Sequence, residues 1–185
     1  MKGSQPQAVQ LEFLFRETFF DAYNTLLVGG ADEPLYQPAN EDCPNHHIFY
    51  REDYFSSALH EIAHWCIAGE ARRRRVDFGY WYNPDGRTLN QQRAFEQVEV
   101  KPQALEWLFS IAAGIKFRVS ADNLSAGDVG ATEPSVDFLD ALRRQAVAYC
   151  NGELPPRPAQ FIGALAHFYG TVDALNPDSY QQLEL

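Results

Sequence analysis

The residues best suited to chemistry are two histidines four positions apart with a glutamate behind the first: His60-Glu61-Ile62-Ala63-His64. On a helix this spacing puts both imidazoles on one face, one turn apart, where they can converge on a single metal ion. Glu61 projects about 100° away and can stand beside the metal without ligating it, as a base or an orienting group. The surrounding residues carry a helical period. Phe55, Leu59, Ile62, Ala63 and Cys66 form an apolar stripe, Asp53 is a plausible N-cap and Gly69 a plausible stop. A zincin-like H-E-x-x-H helix is therefore predicted over residues 53–69. Chance alone yields the motif on the order of once per hundred such chains.

A catalytic metal needs a third protein ligand and an open position. The metzincin pattern fails, because Ile67 and Glu70 stand where its Gly and third His would be. The third donor is sought instead on a helix predicted over 90–114, which Pro102 should kink or restart. Its apolar stripe reads Phe95, Val98, Leu105, Phe109 and Ala112. At about 100° per residue, Glu96 falls nearly opposite the stripe and Glu99 on its flank. That favours Glu99 over Glu96, with Glu106 as the outside candidate. Two His and one carboxylate suit zinc in a hydrolase, where Glu61 would activate water. They equally suit the iron(II) triad of non-haem oxygenases.

Other elements must hold these groups in place. Leu11, Leu14, Phe15, Thr18, Phe19 and Ala22 mark a first helix that should end near Gly29-Gly30. Leu35-Tyr36-Gln37 and His47-Ile48-Phe49-Tyr50 read as short extended pieces, and residues 76–82 as an aromatic strand before an Asn-Pro-Asp-Gly turn. Residues 123–132 read as a loop, followed by helices over 135–150 and 159–169. The fold class is α+β: one mostly helical domain over residues 1–185 with a small sheet.

Composition narrows the partners. The net charge of −10 argues against coating nucleic acid or an anionic membrane. No apolar run approaches the roughly 18 residues of a membrane span, and no secretory leader is visible. Cys43, Cys66 and Cys150 form no C-x-x-C pair, so a reducing cytoplasm fits best.

Several residues carry a functional reading beside a structural one. Phe78, Tyr80, Trp81 and Tyr82 could wall a long cationic side chain, with Asp77 on its ammonium group, or simply join a hairpin core. Arg72 to Arg75 suit the dipole at the end of the motif helix, or dock an acidic partner. His46 and His47 could approach the metal but read better as surface residues. His167 reads as a core or boundary residue, and Trp65 and Trp107 as packing.

Longer blocks carry a resemblance. Ser57 to Gly69, Ala71-Arg72-Arg73, Val76-Asp77-Phe78-Gly79-Tyr80-Trp81-Tyr82, Pro84-Asp85-Gly86-Arg87 and the run Val98 to Leu105 together resemble the bacterial elongation factor P hydroxylases. The resemblance is densest over 53–123. It implies hydroxylation of a lysine of elongation factor P that has first been β-lysylated. It also implies a metal site on His60, His64 and the carboxylate of the Val98-Glu99-Val100 block. Iron(II) would be the working metal, and zinc or another divalent ion could substitute. The family lacks the double-stranded β-helix of 2-oxoglutarate oxygenases, so no 2-oxoglutarate is expected. Two alternatives stand beside this reading. One is a zinc metallopeptidase with Glu61 as general base; the other is a non-catalytic, metal-stabilised protein-binding module.

Overall fold

A computed structural model describes residues 6–78, 87–120, 133–171, 174–181 and 183. Helix α1, Ala8–Tyr23, buries Leu11, Leu14, Phe15 and Phe19. It ends earlier than the sequence suggested. Asn24 takes the left-handed conformation at φ 47°, which asparagine tolerates better than most residues. The chain then turns into strand β1, Thr25–Ala31. Strands β2, Leu35–Gln37, and β3, His46–Arg51, complete a sheet of order β1-β3-β2. β1 runs parallel to β3 with Leu27 opposite Ile48, and β2 runs antiparallel to it with Tyr36 opposite Ile48.

Gly29 in β1 is required by a close approach. A Cβ there would lie 2.5 Å from the Tyr50 hydroxyl and 3.0 Å from the Glu52 carbonyl oxygen. Tyr50 cannot swing away, because it is buried and its hydroxyl donates to Glu12 at 2.8 Å. The same carboxylate accepts the Gly29 N–H at 2.9 Å. Gly29→Ala is therefore expected to lower stability by about 1–3 kcal/mol, read as a fall in Tm. An unchanged Tm would show that the Tyr50 contact yields easily.

The motif helix α2 is Phe55–Ile67, with Tyr54 at its N-cap, so Asp53 does not cap it. Helix α3, Leu89–Ala112, starts in a Thr88/Gln91 capping box and runs through Pro102 as one element, rather than restarting there. Helix α4, Val136–Ala148, leads through a wide turn at Tyr149–Glu153 into α5, Pro156–Tyr169. Gly152 in that turn has φ 109°. The expected loop at 123–132 lies outside the described residues.

The helices pack on one aromatic cluster. Phe15, Phe19, Trp65, Phe109 and Phe161 meet with ring centroids 5.0–6.1 Å apart. This cluster ties α1, α2, α3 and α5 together, and each large side chain buried there contributes roughly 1.5–3 kcal/mol. The result is a mostly helical α+β domain with a three-stranded sheet. Among the described residues no helix is long and apolar enough to cross a membrane.

Candidate metal centre

Helix α2 presents His60 and His64 on one side while Leu59, Ile62, Ala63 and Cys66 are buried in the core. The two Nε2 atoms lie 3.0 Å apart. Glu99 of α3 closes the triangle, with Oε1 3.3 Å from His64 Nε2 and Oε2 3.5 Å from His60 Nε2. One donor atom from each of the three residues lies within 4.8 Å of the others. Ligands about 2.1 Å from a common ion stand about 3.0–3.4 Å apart at angles between octahedral and tetrahedral. The spacing thus fits a shared metal ion, and these three residues form a possible metal-binding site.

Charge points the same way. Glu99 and Glu106 are 3% and 6% exposed, yet among the described residues neither has a lysine or arginine partner. Burial works against a charged His60, but the Glu106 hydrogen bond and the charges of Glu99, Glu106 and Glu61 prevail and hold its pKa up at about 10. Burial likewise opposes ionised Glu99, yet His64 and His60 hold its carboxyl down at about 2. Burial pushes Glu61 and Glu106 up. Three carboxylates crowd two imidazoles, an arrangement in which a divalent cation can replace the protons that otherwise balance them.

Helix α3 buries Leu105, Phe109 and Ala112 of its apolar stripe, and beside them it buries a line of polar residues. Gln92, Glu96, Glu99, Gln103, Glu106 and Ser110 recur at steps of four and three, and all are buried. Val98, assigned above to the apolar stripe, is 37% exposed. Glu96, expected to face away, is buried and serves α4: it accepts the Ser135 N–H at 3.1 Å and the Ser135 hydroxyl at 2.6 Å. Gln103 is locked to Ser120 by two hydrogen bonds, at 2.8 and 3.1 Å, and lies 3.5 Å from Glu99. Glu106, the outside candidate for ligation, is engaged elsewhere. It meets His60 Nδ1, the nitrogen turned away from the focus, at 2.8 Å. The signal that could have found it is its seven-residue spacing from Glu99, two turns along the same face.

A pocket opens beside the centre, lined by Tyr36, Glu61, His64, Trp65, Arg72 and Asp77 among others. Glu61 stands in its wall next to His64. Asp77 bridges to Tyr36 of β2 through both backbone hydrogen bonds and pairs with Arg72 through its side chain. Tyr80, Trp81 and Tyr82 lie outside the described residues, and Phe78 is exposed.

The arginine run is largely occupied within the fold. Arg73 donates to the carbonyl of Ala68, which ends α2, and Arg157 of α5 donates to the same oxygen at 2.6 Å. Arg157 also lies 4.7 Å over the Trp65 ring. Arg74 pairs with Glu70. His46 is 2.9 Å from the Ala39 N–H and stacks on Tyr36, and His47 lies beside Cys43, so neither joins the cluster. His167 is exposed on α5 rather than in the core, whereas Trp65 and Trp107 are buried as expected.

Comparison with known proteins covers this whole arrangement. The family model of elongation factor P hydroxylase matches residues 14–180. The elongation factor P lysine hydroxylase of Haemophilus influenzae (strain ATCC 51907 / DSM 11121 / KW20 / Rd) is 50% identical over 163 residues, 88% of this chain and 89% of that protein. The matched span includes both histidines, Glu61, Glu99 and Glu106. This chain belongs to the elongation factor P hydroxylase family.

Proposed function

We propose that the protein hydroxylates a lysine side chain of elongation factor P, after that lysine has been β-lysylated, with iron(II) held by His60, His64 and Glu99. The observation that carries this reading is the meeting of three donor groups, one of which, His64, lines a pocket, in a chain of this family. Iron(II) held by two imidazoles and one carboxylate would supply the chemistry that lets O₂ oxidise a C–H bond. Family membership favours this over the peptidase and the non-catalytic module.

The residues have distinct tasks. His60 and His64 hold the metal through Nε2, and Glu99 supplies the anionic donor. Glu61, with its carboxyl pushed up by burial, relays protons or pairs with a substrate ammonium. Insertion of one oxygen atom into a C–H bond sends the other to water, so each turnover draws two electrons and two protons from a separate donor. Asp77 faces the same pocket and, with Tyr80 and Tyr82, forms the substrate contact of this reading. The reaction runs in the cytoplasm without 2-oxoglutarate, and the free thiols of Cys43, Cys66 and Cys150 suit a reducing compartment.

The test is mass spectrometry of elongation factor P from cells lacking the gene. The factor should lack the mass of one oxygen atom. Wild-type protein should restore it, while His60→Ala should not. An intact hydroxyl in the deletion strain would reject the function, and restoration by His60→Ala would reject the metal role. Elemental analysis of protein prepared without air should find iron, and turnover should not need added 2-oxoglutarate.

A further inference from the structure

We infer that Glu106 is a positioning residue that fixes which nitrogen of His60 can bind metal; this rests on the metal reading above. An imidazole has two nitrogens, and only an unprotonated one can bind an ion. His60 Nε2 faces His64 Nε2 at 3.0 Å and Glu99 Oε2 at 3.5 Å, so it is the nitrogen at the focus. His60 Nδ1 meets Glu106 Oε2 at 2.8 Å. A carboxylate at that distance accepts the Nδ1 proton, leaves the lone pair on Nε2 and holds the ring plane. It also makes the imidazole a stronger donor.

The fold makes Glu106 a rigid partner. It is 6% exposed and flanked on α3 by Leu105, Trp107 and Leu108, which are 0%, 5% and 0% exposed. It sits two turns beyond Glu99 on one helix, so α3 delivers the carboxylate ligand and the orienting group together. His64 meets Glu99, while His60 meets both Glu99 and Glu106, so α2 and α3 pass in opposite senses along this contact. Glu106 touches neither the focus nor the pocket, so its effect passes through His60.

The experiment uses the full chain and zinc(II) as a diamagnetic probe. Affinity is measured by competition with a chelator, and the His60 ring by nitrogen-detected NMR of the zinc-loaded protein. Wild type should show His60 bound through Nε2 with a slowly exchanging Nδ1 proton. Glu106→Ala should bind zinc roughly 10- to 100-fold more weakly and lose that proton signal. Glu106→Gln keeps a carbonyl acceptor, so it should retain the signal with an affinity between the two, and it serves if the alanine variant does not fold. Zinc affinity equal to wild type in both variants, or His60 bound through Nδ1 in wild type, would overturn the inference and leave the metal site standing. Failure of wild type to bind zinc or iron would overturn the metal reading itself.

Discussion

Glu99→Ala should reduce bound iron to background and hydroxylation with it, while Glu96→Ala should leave iron in place. Both carboxylates are buried on the same face of α3, and only their partners differ. Glu99 faces the two Nε2 atoms; Glu96 binds the N-cap of α4. Removing Glu99 leaves two neutral donors on one helix. Removing Glu96 breaks two hydrogen bonds to Ser135 and leaves that terminus without its acceptor. Its cost should appear as about 1–3 kcal/mol of stability instead. Metal content and Tm measured on both variants separate the roles. Iron retained by Glu99→Ala and lost from Glu96→Ala would exchange them.

Phe161→Ala should destabilise the protein by about 3–5 kcal/mol, the largest loss expected from a residue outside the centre. Phe161 is fully buried, and its ring meets Phe15, Phe19 and Phe109. Three helices would border the space left behind, and backbone on several sides limits how far it can close. If the variant stays folded, its zinc affinity should be near that of wild type, because no ligand touches Phe161. Chemical denaturation gives the first number and chelator competition the second. A loss below about 1 kcal/mol would mean the cluster repacks readily.

These contrasts show what was legible in the sequence. Helix α2 was readable because its apolar residues fall on one stripe and its histidines on another. Strand β1 was not. Leu26, Leu27 and Val28 prolong the apolar content of α1, and nothing in periodicity alone announces that Asn24 turns left-handed. Thr25 and Val28, both β-branched, were the available hint. On helix α3 the wheel argument held for Leu105, Phe109 and Ala112, which are fully buried, and failed where it assumed that polar residues face away. Near the centre the inward side is polar, and Glu96 is buried where the wheel placed it outside. The structure brings Glu99 to the histidines from the flank of the buried Leu105, Phe109 and Ala112, as a member of that polar line. Partners distant in sequence, such as Ser135 for Glu96 and His60 for Glu106, cannot be read from spacing within a helix.

The alternation along α3 also limits how the gene can vary. Glu96, Glu99, Gln103 and Glu106 hold four different neighbours from one helical line. A single codon gained or lost between Glu99 and Glu106 would rotate everything downstream by about 100° and send Glu106 away from His60. A change of about seven codons would bring the phase back but slide the downstream residues roughly 10 Å along the helix axis. Length variation among relatives should therefore collect in the connections between helices and avoid this stretch, even where its individual side chains differ.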